Sequence, residues 1–361
     1  MSENPNQPKE YDAVLGGQNP PPINAAVLGG IEGVKKRIAS SILEVRINAL
    51  SDAIKYGDQG LDLVLPALQD ESIEVQFAAY SLLKDRQEPQ VKQQLGNCLP
   101  FFEFEVVTVD ASGRINSRCR HYARYFTEDL GNGVGLEMVA IPGGTQIGSL
   151  SDLKSDDIQY RVTHYEATEL TINPFFMGKY PITQEQWQAV MGDNPSHFKG
   201  AKRPVENVSL TAAYDFCHKL REKTGKSYAL PSNLQRLYAC RAGTTTPFHF
   251  GETITPDLVN YNGNYPYGSA PKGLYRQETT PVGSFPPNAF GLYDMHGNVC
   301  EWSNESYTFY HYRDTDYYIM YGGSWLNTAE SCGSASTDQI EGDYAWSDRR
   351  DHRGFRVCWF G

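Results

Sequence analysis

Two kinds of apolar spacing divide the chain. In LEVRINALSDAIKYG (43–57) apolar side chains return at helical intervals, at Val45, Ala49, Leu50 and Ile54. IEVQFAAYSLLKDRQ (73–87) repeats the pattern with Val75, Ala78, Ala79, Leu82 and Leu83, and its Glu74-Val75 lies 30 residues after Glu44-Val45. GLDLVLPALQD (60–70) supplies a helix between them. Paired helices recurring at about this length are the sequence signature of stacked helical repeats, whose usual work is binding or spacing. Residues 31–98 are therefore expected to form a small all-α module that ties the chain to another protein, with a plain helical bundle as the alternative. Residues 1–30, rich in Pro, Gly and Asn, read as a leader without a core of its own.

The spacing changes at CLPFFEFEVVTVD (98–110). Pro100 ends the helical pattern and the alternation of Phe102, Phe104 and Val106 is that of a strand. LEMVAIPGGTQIGS (136–149) predicts two short strands around Pro142-Gly143-Gly144, and INPFFMGKYPIT (172–183) predicts another. Thr183 with Gln186 three residues on is a capping-box start for a helix. A second helix starts at Ser209, carries Ala213, Phe216, Cys217 and Leu220 on one face, and stops at Gly225. A third lies between Ser232 and Gly243. After it come about 115 residues with little periodicity, which predicts a loop-rich fold. Residues 99–361 thus read as one α+β domain after the helical module.

Composition narrows the function. Hydrophobic content of 40% with 21% charged residues is ordinary for a globular chain. A net charge of −11 argues against an electrostatic hold on nucleic acid or anionic lipid, since Lys and Arg clusters carry phosphate binding. No apolar run approaches the length of a membrane span, and the N-terminus lacks the pattern of a secretory signal, so no membrane and a cytoplasmic location are expected. The seven cysteines are scattered without CxxC or zinc spacing and are expected to be reduced, mostly buried thiols. No HExxH, GxSxG or phosphate-binding glycine loop occurs. His311 and His352 read as exposed polar residues in preference to catalytic ones.

The helical stretch resembles HEAT-type repeats. FGLYDMHGNVCEW (290–302), with MGKYPIT, RPVENVS, YALPSNLQRLYACRAG, TPVGSFPPN, GGSW and GFRV, resembles the formylglycine-generating enzyme superfamily. That likeness implies an elaborated C-type lectin fold over roughly 101–361. It does not by itself imply an activity, because the superfamily is expected to hold copper oxidases, iron enzymes and non-enzymatic binding proteins. The oxidases need two thiolates for a soft Cu(I) ion. The matching positions here are Asn327 and Cys332, and an amide cannot replace a thiolate, so neither copper nor oxidase catalysis is expected. The iron relatives use a His-rich motif in a helical domain, whereas residues 31–97 contain no histidine. The resemblance also implies a Ca²⁺ site at Asp294, Gly297, Val299 and Glu301, of oxygen ligands on a tight turn. The alternative is that these carboxylates only hydrogen-bond the turn.

Between Gly322-Gly323-Ser324-Trp325 and Gly354-Phe355-Arg356-Val357 lies an oddly polar segment. Of the 21 residues between Cys332 and Gly354, only Ile340 is a branched aliphatic. The frame reads as buried strand ends, with Trp325 and Phe355 filling the core. Within the superfamily this placement resembles the variable proteins of diversity-generating retroelements, whose last segment is rewritten to display a ligand-binding surface. The likeness implies a recognition face at 322–357 made by Asn327, Glu330, Ser336, Asp338, Gln339, Glu341, Asp343, Tyr344, Trp346, Arg350, Asp351 and His352. Tyr and Trp would give contact area and the short polar residues adaptable hydrogen bonds, toward a protein ligand. An ordinary polar loop is the alternative, as is a formylglycine-generating-type oxidase. In SYTFYHYRDTDYYIMY (306–321), seven of sixteen residues are Tyr or Phe, either a second wall of that face or a strand pair with alternate rings in the core.

Overall fold

A computed structural model of the protein describes residues 30–148, 168–309 and 315–361. Apart from Gly30, the expected leader lies outside the described residues, as does His311. The chain divides into two compact units, one up to Phe102 and one from Glu103 to Gly361.

The first unit is helical, with α1 (Gly30–Ile38), α2 (Leu43–Ala53), α3 (Asp58–Val64), α4 (Ile73–Leu83) and α5 (Pro89–Gly96). The two helices with matching sequence, α2 and α4, pack against each other. Their apolar faces put Leu50, Ala53, Val75, Ala79 and Leu83 into one core with Val34, Leu61, Val64 and Val91. Ser72 caps α4 by accepting from the Val75 N–H, and α5 begins on Pro89, where a missing N–H costs nothing. The turn between α2 and α3 is tight enough to require Gly60, since a Cβ there would lie 1.8 Å from the Ala53 carbonyl oxygen.

The second unit is α+β. Its strands are β1 (Phe101–Val109), β2 (Ile115–Asp129), β3 (Gly135–Ile141), β4 (Gly144–Gly148), β5 (Thr168–Ile172), β6 (Phe175–Gly178), β7 (Tyr228–Ala229), β8 (Cys300–Phe309), β9 (Thr315–Tyr321), β10 (Thr337–Glu341), β11 (Arg353–Gly354) and β12 (Cys358–Trp359). Its helices are α6 (Gln184–Met191), α7 (Leu210–Thr224), α8 (Asn233–Arg241) and the single turn α9 (Gly342–Ala345). A six-stranded sheet runs β1-β2-β3-β6-β12-β7, a four-stranded sheet runs β10-β9-β8-β11, and β4 pairs with β5 alone. The C-terminal strand is thus internal, with Cys358 opposite both Met177 and Ala229.

The caps behave as their sequence chemistry requires. Thr183 and Ser232 each form a full capping box, and Ser209 accepts from the Ala212 N–H. One expectation needs correction. The strand expected across 172–183 is two strands in different sheets, because Pro174 has no N–H to give a ladder and separates β5 from β6. The third helix lies between Ser232 and Gly243, with Ala242 in the left-handed conformation at φ 45° as its C-cap.

From 242 to 299 no helix or strand forms, yet most of this run is buried or half-buried. Asparagine side chains supply the partners that a ladder would otherwise give. Asn288 Oδ1 accepts from the Phe290 and Leu292 N–H groups while its Nδ2 donates to the Ala239 and Cys240 carbonyls. Asn298 Oδ1 accepts from the Thr280 N–H at 2.9 Å. The main core lies between α6, α7 and the sheets, with Trp187, Phe216, Trp302, Met320, Phe355 and Val357 at its centre.

Candidate recognition face

The two glycine-rich ends hold the polar segment rigidly. At Gly322, φ is +87° and a Cβ would meet Arg236 Nη2 at 2.9 Å and the Met295 carbonyl oxygen at 3.0 Å. At Gly323, φ is +62° and a Cβ would meet Cys332 Sγ at 2.6 Å. Only glycine takes such a backbone against such neighbours. Trp325, 8% exposed, lies edge-on to Phe198 and donates from its indole N–H to the Asp351 carbonyl at 3.1 Å. Phe355 is fully buried, edge-on to Trp187 and Phe216. Both rings therefore fill space as expected, but neither residue is in a strand. Trp325 sits in a turn after β9, and Phe355 between β11 and β12.

The segment between them is more ordered than a set of loops. β10 pairs antiparallel with β9, Thr337 opposite Tyr321 and Glu341 opposite Tyr317. Its alternation turns Ile340 inward, and α9 turns Ala345 into the same core. Asp338, on the same strand face as Ile340 but nearer the strand's start, is exposed, while Gln339 and Glu341 on the other face are half-buried. Among the other expected face residues, Glu330, Tyr344, Trp346 and Arg350 are exposed, Tyr344 by 64%. Asn327, Ser336, Asp351 and His352 are half-buried. The side chain of Asp343 lies outside the described residues. Trp346 has a structural side as well, since its ring meets Tyr214 and Tyr318 and its carbonyl accepts from Thr211. His352 is no freely exposed base: burial moves its imidazole below its usual value, although Asp351 lies 3.3 Å away.

An open groove of about 720 Å³ crosses this face. It is lined by Gln339, Ile340 and Glu341 of β10, by Tyr344, and by Asp348, Arg349, Arg350 and Arg353. Asp348 binds both Arg350, at 3.0 Å, and Arg353. Continuous with the face through Trp325, Tyr275 stacks on that indole at 6.2 Å, and Leu326, Leu274 and Tyr265 are 43%, 60% and 59% exposed. Of these, Tyr265, Leu274, Tyr275 and Leu326, together with Arg349 and Arg353, were not legible in the sequence as part of the face. Their loops share no periodicity, and contacts across the fold, such as Gly273 N–H to the Gly263 carbonyl and the Tyr275–Trp325 stack, bring them together. The aromatic run is mixed: Tyr321 and Met320 are buried, while Tyr317 and Tyr318 are half-buried.

The chemistry of copper does not fit. The Ser324 hydroxyl donates to Asn327 Oδ1, so the amide is engaged in its own turn. Burial pushes the Cys332 thiol up to about 12, and Cys332 is fully buried. A soft cation would need a second thiolate that position 327 cannot offer.

Around the residues expected to hold calcium, the donor atoms are engaged within the fold. Glu301 is 1% exposed and both its oxygens are taken by arginine. Arg236 Nε and Arg356 Nε donate to Oε2 at 2.9 and 2.8 Å, and Arg356 Nη2 donates to Oε1 at 2.8 Å. Two guanidiniums facing one carboxylate supply the positive charge that a cation would bring. Asp294 Oδ2 accepts from the Gly283 N–H at 2.7 Å; burial pushes its carboxyl up to about 6 against that bond and Arg356. Gly297 and Val299 lie on the turn between, where Gly297 (φ +71°) approaches the Asn260 carbonyl too closely for any Cβ. These residues lock the turn to α8 and to the last loop.

One buried thiol is unusual. Burial alone would raise Cys240, but His296, 3.9 Å away, and Arg236 outweigh it and bring the thiol down to about 6. The imidazole Nδ1 of His296 bonds the Cys332 carbonyl at 2.7 Å, and its Nε2 accepts from the His249 N–H. The adjoining cavity holds about 10 Å³, room for roughly one water.

A profile of the family described as sulfatase-modifying factor enzyme 1-like domain matches residues 130–360. The chain is 28% identical over 244 residues to the chaperone protein LppX of Paenibacillus barcinonensis, which covers 54% of this chain and 86% of that protein. It is 30% identical over 136 residues to the formylglycine-generating enzyme of Mus musculus, 36% of this chain and 35% of the enzyme. With inactive C-alpha-formylglycine-generating enzyme 2 of Bos taurus it shares 27% over 188 residues, 51% of this chain and 56% of that protein. It therefore spans from about a third to just over half of these two relatives. Among solved structures, Treponema denticola variable protein 1 superposes with a TM-score of 0.52 at 24% identity, over 65% of this chain and 98% of the other. PvdO from Pseudomonas aeruginosa does so with 0.50 at 26%, over 65% and 97%.

Proposed function

The chain belongs to the sulfatase-modifying factor enzyme 1-like family, with a C-type lectin-type fold, and on that premise we propose that it is a non-catalytic recognition protein that binds a protein ligand on the face between Trp325 and Phe355. One observation carries this reading: an exposed polar and aromatic surface is held on a frame whose own residues are buried and sterically fixed. A surface that can change over a core that cannot is the arrangement of a binding scaffold. The same placement supports the finer reading, a variable protein of a diversity-generating retroelement. Asn327 in place of a thiolate weighs against the oxidase alternative.

The helical unit is proposed to bind a second protein. Ile42 is 60% exposed just before α2 and Ile73 is 37% exposed at the start of α4, apolar positions at corresponding ends of the two matched helices. All seven cysteines are free thiols, in keeping with a reducing, cytoplasmic setting. Among the described residues no helix is long and apolar enough to cross a membrane.

The test joins folding to binding. Asp338, Tyr344 and Arg350 are replaced together by serine, and a ligand purified on the native chain is titrated against both proteins by calorimetry. An unchanged melting curve with binding lost supports the reading; unchanged binding defeats it. Turnover of a sulfatase-type cysteine peptide with added Cu(I) would restore the oxidase. Sequencing around the gene tests the finer reading, through a near-copy of the 3′ coding end that differs at adenines beside a reverse transcriptase.

A further inference from the structure

The groove beside β10 has two properties that the recognition reading alone does not require. First, β10 is an edge strand: among the described residues it pairs only with β9. Gln339, Ile340 and Glu341 of this edge strand line the groove. Second, Arg349, Arg350 and Arg353 line the same groove with Glu341 and Asp348, an excess of positive charge in a chain of net charge −11. Asp348 is shared between Arg350 and Arg353, so one carboxylate serves two guanidiniums. Arg349 is exposed, and among the described residues no carboxylate pairs with it. The Arg350 side chain is 60% exposed and needs only to turn to meet an incoming acid.

An unpaired strand edge accepts an extended polypeptide through main-chain hydrogen bonds, and side chains along the groove then choose its sequence. Arginines beside such an edge select carboxylates, by planar two-bond pairing. We propose that the ligand of this face presents an extended acidic segment that adds to β10 as a further strand and places its carboxylates on Arg349 and Arg350. The proposal rests on the recognition reading and names the chemistry of its partner. A nucleic acid would offer phosphates but no main-chain amides for the edge, and the acidic body of the chain would repel it beyond the groove.

The test uses the full chain and a fluorescein-labelled peptide of alternating Glu and Val, read by fluorescence polarisation at physiological ionic strength, where the net charge is screened beyond about 8 Å. Binding is expected to weaken about tenfold in Arg349→Ser/Arg350→Ser, because two charge-assisted contacts are lost. The same peptide N-methylated at alternate amides keeps its charge, cannot extend a sheet, and is expected not to bind. Equal binding by the double variant, equal binding of the methylated peptide, tighter binding of an oligonucleotide, or no binding at millimolar peptide each overturns the proposal. The recognition reading stands apart from these results. If the purified natural ligand binds the Arg349→Ser/Arg350→Ser variant normally but not the Asp338, Tyr344 and Arg350 serine variant, the acidic-strand proposal fails and the face remains.

Discussion

Arg356 Nε and Nη2 grip the two oxygens of Glu301 at 2.8 Å each, inside a core where the arginine is fully buried and the glutamate 1% exposed. Arg356 comes from the last loop and Glu301 from the start of β8, so the pair binds the chain's end to its most recognisable motif. Arg236 of α8 completes the group at 2.9 Å. Removing the carboxylate leaves two buried guanidiniums without their anion. Glu301→Gln is expected to cost about 3–5 kcal/mol, measured by urea denaturation. A loss of a few tenths would mean that the charges are solvated and the pair is incidental.

The same geometry predicts indifference to calcium. Because arginine occupies both oxygens of Glu301, the melting temperature in EDTA should match that in millimolar Ca²⁺. A cation bound only by the folded state would raise it by mass action, and such a rise would overturn the assignment of Glu301 to the arginines.

Glu206 gives the fold a pH dependence. It is fully buried; Oε1 accepts from the Phe198 N–H at 2.8 Å, and among the described residues Oε2 has no hydrogen-bond partner. Burial, with Asp351 nearby, raises its carboxyl to about 7, against the Phe198 and His197 amides and Lys199. The folded state therefore holds a proton that the unfolded chain releases near 4.5. This stability is complete below 4.5 and is lost as pH rises through about 7. In Glu206→Gln the fall in melting temperature over that window should flatten, while an identical profile would show that Glu206 does not titrate there.

Frame and face should respond differently to substitution. Phe355→Ala removes a ring packed on Trp187 and Phe216 and is expected to cost about 3–5 kcal/mol. Asp338→Ser and Tyr344→Ser lie on the exposed side and should change stability by about 0.5 kcal/mol or less. Thermal melts of the three variants suffice. A large loss at Tyr344 would make the outer surface part of the core's support.

Local chemistry was legible in the sequence because each signal acts within a few residues. Thr183 with Gln186, Ser209 and Ser232 start their helices through side chains that reach one turn ahead. The ordered motifs likewise carried the family and its fold. What the sequence could not carry was the partner of a buried charge. Glu301 on its turn reads as a cation ligand until α8 and the last loop deliver Arg236 and Arg356, 65 and 55 residues away, to its two oxygens. The polar segment read as loop because polar residues alternate with few apolar ones. Yet a single Ile340 opposite Tyr318 sufficed for a strand once β9 offered a ladder. Helix caps and turns are decided by near neighbours along the chain; charge compensation and sheet edges are decided by whatever packing brings across it.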